Sequence, residues 1–315
     1  MVKIMEHLMN NEKHYITLNN YLKYRFNKKV YKIALNGNFT CPNRDGKISK
    51  LGCLFCSEAG SGDFSGNKEL SFKDQFNEIK TMMQEKWEDG YFIAYLQANT
   101  NTYDTVENLR KKYYEIISLD KDIKIFSVAT RPDCITKEIV ELLAEINKKI
   151  EVWVELGFQT ANEQTGKFIN RGYNNNCLVN AVNLLNDYNI TSIIHIINGL
   201  PGDTKEDMIN TVKFLNNLPI KGIKIHMLHV MKNTPLEKIY LKEPFKLLSL
   251  EEYVEIVSEQ LTLLNTNIVI HRVTGDSPKE LLIEPIWTLK KFIVMNEIDK
   301  YMRKNNLYQG QKSSY

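Results

Sequence analysis

The chain has 315 residues, 43% of them hydrophobic and 25% charged, with a formal net charge of +3. That balance suits a soluble globular protein with a sizeable core, and the net charge alone says little about partners. No run of 18 or more apolar residues exists and no long apolar stretch follows Met1, which excludes a membrane span and a secretory leader from the expectation.

From Lys13 to Lys32 the chain carries Lys23, Arg25, Lys28 and Lys29 with no acidic residue, interleaved with Tyr15, Tyr21, Tyr24, Phe26 and Tyr31. Such a segment either tracks a phosphate backbone and stacks on bases, or is a first helix whose aromatics pack inward. "VYKIAL" at 30–35 reads as a strand, followed by a long Gly-, Asn- and Ser-rich loop holding Cys41, Cys53 and Cys56. Helices are expected at 71–87, 105–118, 136–149, 177–188 and 204–218, with Ser71, Thr136 and Thr204 as caps. Between them, 91–97, 123–130, 151–160, 191–199 and 222–230 read as buried strands.

Six β/α units at intervals of about 30 residues give the pattern of a parallel sheet covered by helices. The expected fold is therefore α/β, a partial (β/α)6 TIM-like barrel with a helical C-terminal extension. An open doubly wound sheet has the same pattern. Function in such barrels sits at the C-terminal ends of the strands. The polar clusters fall there: Cys41, Gln97 to Tyr103, Thr130 to Asp133, Gln159, Asn198 to Asp203 and His229. The chain divides into a basic aromatic segment at 1–29, the barrel at 30–245, an extension at 246–305 and a frayed tail at 306–315. In the extension a helix is expected at 249–265, a strand at 268–276, and a helix at 279–305 interrupted near Pro285.

Five cysteines without a leader point to reduced thiols in a cytoplasmic setting, and three of them fall within sixteen residues. Their spacing is Cys-x11-Cys-x2-Cys. Thiolates suit zinc, copper or iron–sulfur clusters. A structural zinc needs four protein ligands, and no histidine lies between Cys41 and Cys56. Three thiolates on a four-iron cluster leave one iron open. Cluster, zinc and free thiols all remain open on spacing alone. Phe55 either shields the metal or packs in the loop. Asn43, Arg44 and Asp45 either pin the loop or turn Arg44 towards an anion.

Together with "CPNRDG" at 41–46 and "GCLFCSEAGSGDF" at 52–64, the stretches "TNTY" at 100–103, "TRPDC" at 130–134, "ELGFQT" at 155–160, "NRGYN" at 170–174, "GLPGDT" at 199–204, "KIHMLHVMKNTPL" at 224–236 and "HRVTGD" at 271–276 resemble an Elongator-subunit-3-like bacterial branch of the radical S-adenosylmethionine (SAM) enzymes. The resemblance spans about 20–300. It implies a 4Fe-4S cluster on Cys41, Cys53 and Cys56, with SAM on the open iron and cleaved to a 5′-deoxyadenosyl radical. It implies cofactor contacts at Phe55, Gln97, Thr100, Asn101, Thr102, Glu155, Gln159, Arg171, Ile197 and Gly199. Glu155, Gln159, His229, His271 and Arg272 are the expected catalytic or substrate groups. Arg171 would grip the cofactor carboxylate or fix its own loop. Glu155 has an alternative as half of a buried pair with Arg131 or Arg171.

His195 reads equally as a packed core histidine. His226 and His229, three apart, are expected on opposite faces. No acetyltransferase domain is expected within 240–315. The branch further implies transfer RNA as partner, with the 5-substituent of the wobble uridine as target. It also implies a reducing partner such as flavodoxin or ferredoxin, and a functional link to a transfer RNA methyltransferase. The competing expectations are a small metabolite or peptide as substrate, and a non-catalytic, zinc-stabilised RNA-binding protein.

Overall fold

A computed structural model describes Met9, residues 13–60, 62–85 and 89–313. Seven parallel strands form one sheet: β1 (Val30–Asn36), β2 (Tyr91–Gln97), β3 (Ile123–Thr130), β4 (Glu151–Gln159), β5 (Thr191–Asn198), β6 (Gly222–Met227) and β8 (Val269–Arg272), in that spatial order. The sheet is curled and open, the partial barrel that the strand and helix alternation predicts. The seventh strand comes from the extension, beyond the six expected units.

Helices α1 (Leu18–Phe26), α2 (Phe72–Gln84), α3 (Val106–Ile117), α4 (Lys137–Asn147), α5 (Glu163–Phe168), α6 (Asn175–Asp187) and α7 (Lys205–Asn216) precede or link the strands. Each of Ser71, Thr105, Thr136 and Thr204 accepts the amide three residues on, satisfying one of the orphan donors of a helix start. Asp207 returns the bond to Thr204 and closes a capping box. Helix α6 opens two residues earlier than expected because Asn174 is its cap. The expected end of α2, at 86 and 87, lies outside the described residues.

Side chains alternate across the sheet, and the outward set makes the core. Ile33, Phe126, Val154, Ile194 and Ile223 meet Leu109, Leu143, Leu185 and Leu215 of the covering helices, all fully buried. A smaller cluster fills the base of the concave face: Ile93, Tyr95, Ile125, Trp153 and Ile193, under Leu18, Tyr21, Leu22 and Phe26 of α1. The segment before α1 lies beside the last strand, with a bridge between Thr17 and Ile270. Helix α1 thus closes the gap between β8 and β1 from the N-terminal ends of the strands.

Two expectations fail, one at the last barrel unit and one in the extension. Residues 222–230 are not one strand: the chain leaves the sheet after Met227. Val230–Met231 (β7) then pairs antiparallel with Leu282–Glu284 (β9). Residues 279–305 are helical only in a 3₁₀ turn at Ile286–Leu289 and in Lys291–Lys304 (α10), because 282–284 are claimed by that pairing. Pro235–Lys242 (α8) follows β7, and Leu250–Leu263 (α9) packs on α10.

The tail from 306 to 313 is not frayed. Gln309 is fully buried. Its carbonyl accepts the Ile16 amide at 2.9 Å, and its amide donates to Asn265 O at 2.9 Å and Ile268 O at 2.8 Å. Gln309→Ala strands these groups without water, at a cost of about 3 kcal/mol. Urea denaturation is the check; a frayed tail would leave the midpoint unchanged.

Candidate functional site

The cysteine loop is tied down before any metal is considered. Gly52 N donates to Asn43 O at 2.7 Å, Leu54 N to Ile169 O at 3.0 Å, and Leu236 N to Leu54 O at 3.0 Å. Asn43, fully buried, donates to Asn170 O at 2.7 Å and towards Cys53 Sγ at 3.6 Å. Arg44 spends its guanidinium on the carbonyls of Cys56, Ser57 and Glu58, which settles its role as a loop pin. The loop also abuts the end of β2. A Cβ on Gly60 would collide with the Asn99 side chain, and Asn99 itself holds a left-handed backbone at φ 57°.

Cys41, Cys53 and Cys56 open onto one cavity of about 590 Å³, which is lined from every strand of the large sheet. Phe55, Gln97, Thr100, Glu155, Gln159, Ile197, His229, His271 and Arg272 line the same cavity. Gln159 holds φ 71° at the bulge where β4 shifts register against β5. The Thr100 hydroxyl is buried without a hydrogen-bond partner among the described residues.

Four expected cofactor residues do not reach this space. Asn101 is fully buried and donates to Ala98 O and Ala129 O. Thr102 bonds Thr130 and Cys134 O. Both hold the loop after β2. Arg171 is fully buried and donates to Phe158 O, Thr160 O, Tyr173 O, Glu163 and Asn175, so its fork fixes its own loop. Gly199, at φ 86°, lines a separate cavity of about 460 Å³ beside Leu248. His226 and His229 both line the main cavity, against the opposite-face expectation. The strand has ended between them, so the period of two no longer applies.

The largest surprise is the partner set of Glu155. It is fully buried and accepts from Lys32 Nζ at 2.8 Å, His195 Nε2 at 2.7 Å, Ser127 Oγ at 2.9 Å, and Lys224 Nζ. Neither arginine expected as its mate is used: Arg131 forms a fork on Asp133 at 2.7 and 2.9 Å. Burial alone would raise the Glu155 carboxyl, but the ammoniums of Lys224 and Lys32 and the His195 bond hold it well below the usual range. Burial, with Lys32 opposing a second charge, pulls Lys224 down to about 7 against the attraction of Glu155. Lys32 and Lys224 also sit over the Tyr95 ring, at 4.1 and 4.8 Å from its centroid. Sequence reasoning did not single out Lys32, Tyr95 or Lys224. The signal was there: a lysine inside each of two apolar parallel strands, "VYKIAL" and "GIKIHM", where both faces are buried.

The histidines of this face are neutral. Burial, then the charge of Lys224, takes His195 to about 4, and burial takes His229 to about 4. Burial holds His226 and His271 well below the ordinary histidine range, helped by His195 and Lys32 respectively.

Three thiols at the cavity edge fit a sulfur-ligated centre. The Cys53 thiol is raised by its bond to Cys56 and by burial, with Arg131 pulling the other way, so a cation would replace protons there. Among the described residues no three His, Cys, Asp or Glu side chains converge tightly enough to share one metal ion. Cys134 and Cys177 do not line the cavity, and burial pushes their thiols up to about 12 and 11. For SAM, the unpartnered Thr100 hydroxyl and the apolar Phe55 and Ile197 offer a polar and an apolar wall in one space.

Basic segment 13–32 takes the inward reading at Tyr15, Tyr21, Leu22 and Phe26. Arg25 pairs with Glu151 and Lys28 with Asp89, at the strand starts and remote from the cysteines.

Fold and site together define a partial α/β barrel with its reactive groups at the C-terminal strand ends. The chain belongs to the radical SAM superfamily: residues 45–215 match the family of that name, and residues 220–304 match the Radical_SAM C-terminal domain. It is 47% identical to the uncharacterized protein YtqA of Bacillus subtilis over 302 residues, covering 96% of this chain and 94% of that one. It is 28% identical to the tRNA uridine(34) acetyltransferase of Methanocaldococcus jannaschii, over 57% of this chain and 33% of that protein. Its fold is similar to that of the archaeal Elp3 of Methanocaldococcus infernus, with a TM-score of 0.66 at 18% identity, over 89% of this chain and 64% of that one. No helix of the described residues is long and apolar enough to cross a membrane.

Histidines buried neutral make a pH prediction. Their folded values lie below the ordinary 6.5, so the stability they carry is full above pH 6.5 and is lost as pH falls towards 4. On unfolding each takes up a proton, at roughly 1.4 kcal/mol per pH unit per histidine. Urea unfolding at pH 7.5 and 5.5 should show a steep fall, which His226→Gln makes shallower.

Proposed function

We propose that the chain is a radical SAM enzyme carrying a 4Fe-4S cluster on Cys41, Cys53 and Cys56, and that it modifies the 5-substituent of the wobble uridine of transfer RNA. The observation that carries the enzymatic reading is that three thiols, a Thr100 hydroxyl without a partner among the described residues and the polar strand ends all line one cavity. Superfamily membership supports the cofactor pair. Similarity to a tRNA uridine(34) acetyltransferase and to an Elp3 supports the RNA target. When bound, SAM on the reduced cluster supplies a carbon-centred radical able to take hydrogen from an unactivated position.

The protein's own contribution is placement and exclusion. Asn43 donates towards one sulfur, Arg131 sets a positive charge near it, and Leu54 lies buried behind the loop. All of Gln97, Thr100, Phe55, Ile197, Gln159, His229, His271 and Arg272 line the one cavity; we assign the first four to the cofactor, His229, His271 and Arg272 to the substrate, and Gln159 to either. Arg272 is tethered to Asp276 at 2.6 Å, which keeps its charge oriented along the wall. An electron donor such as flavodoxin or ferredoxin and a partner methyltransferase complete the proposed setting.

Cys53→Ala should lose the cluster's iron and sulfide after anaerobic reconstitution. Release of 5′-deoxyadenosine should fall at least about a hundredfold, a loss of the chemical step itself. Nucleoside profiles of transfer RNA from cells with and without the gene test the target. An unchanged wobble uridine profile, with 5′-deoxyadenosine still released by the enzyme, would redirect the reading to a small metabolite or peptide.

A further inference from the structure

The middle of the concave face holds two ammoniums against one carboxylate. Lys224 is nearly enclosed, its side chain 10% exposed, and Glu155 is fully enclosed. Among the described residues each lysine makes a single hydrogen bond, to Glu155, which leaves ammonium protons unused. Glu155 cannot serve further, since Ser127 and His195 occupy it as well. Next to this surplus charge, His226 Nε2 and His271 Nδ1 are buried without a hydrogen-bond partner among the described residues. The His226 ring lies 5.5 Å from His195, and His271 packs edge-on to Trp153 at 5.2 Å. Glycine at 222 is what admits that ring, because a Cβ there would meet His271 Nε2 at 2.6 Å. Elsewhere on this face Arg131 is matched by Asp133, and Arg272 and Lys291 share the exposed edge of Asp276, where solvent reaches both cations.

An uncompensated buried cation is unfavourable, and so are buried nitrogens without partners. One ligand would answer both. We propose that this floor is a subsite for a carboxylate carried by the substrate, bound by Lys224 with Lys32 beside it and hydrogen-bonded by His226 or His271. A carboxylate brings the single negative charge that two lysines and one glutamate lack. A phosphate ester brings up to two, more than these three groups lack. The tendency of Lys224 to shed its proton near pH 7 is the response of the same cluster when no anion is bound. The subsite rests on reading this cavity as the substrate chamber. Its test needs no turnover, so its failure and that of the radical reading can be told apart.

The experiment follows Lys224 by peptide mass spectrometry in the full, anaerobically reconstituted chain, labelled with a small amine-acylating reagent near pH 7 at constant ionic strength. Acetate should slow labelling of Lys224 by roughly fivefold, the effect at pH 7 of raising a pKa of about 7 by one unit, whereas acetamide, of the same shape, should not. Lys32→Met should weaken the acetate effect while leaving Lys224 to label. Bulk transfer RNA that protects Lys224, and stops protecting once its carboxyls are amidated, would place the carboxylate on a nucleobase substituent. Protection by acetate without protection by RNA would place it on a small free acid. Equal effects of acetate and acetamide would overturn the proposal. So would stronger protection by inorganic phosphate, or protection by SAM alone that acetate cannot add to.

Discussion

Everything on the concave face is organised around one buried carboxylate. From β4, Glu155 reaches lysines from β1 and β6, a serine from β3 and a histidine from β5. Removing a charge from water is costly unless its partners are close and well oriented. Here they come from four other strands at once. The network therefore does more than balance charge: it specifies how far the sheet curls, because β1 and β6 must come near enough for their lysines to share one acceptor.

The surroundings follow from that constraint. Beneath the hub, Trp153 and the aromatics of α1 exclude water. Above it, the same cavity extends to the cysteine loop. The cavity is thus graded, apolar at the base, charged in the middle and lined by thiols at the edge. A reaction that must keep a reactive intermediate away from solvent gains from a base sealed in this way.

Much of this was legible in the sequence, for identifiable reasons. Regular alternation of apolar runs with Ser- or Thr-capped helices gave the barrel, since parallel strands buried on both faces leave that signature. The three cysteines declared themselves by clustering. What was not legible depended on distant pairing. Arg171 looks the same in the chain whether its fork meets a ligand or five groups of its own loop. His226 and His229 were separated by a periodicity that ends at Met227, and nothing local marks that end. The pairing of β7 with β9, some fifty residues apart, hid a strand inside an apparently helical run. Lys32 and Lys224 were visible but unread: a lysine in a two-face-buried strand requires an acceptor, and Glu155 was the available one.

The bonds between the two ends of the described chain carry a consequence for its biosynthesis. Helix α1 is made before every strand of the sheet, yet the segment leading into it is held by Ile270 in the last of them and by Gln309 beyond it. A nascent barrel can pair β1 with β2 early, but its base remains unsealed until residue 309 has left the ribosome. The barrel is then folded as a loop closed on itself rather than as a line completed step by step, with the cost in contact order falling after its last strand is made.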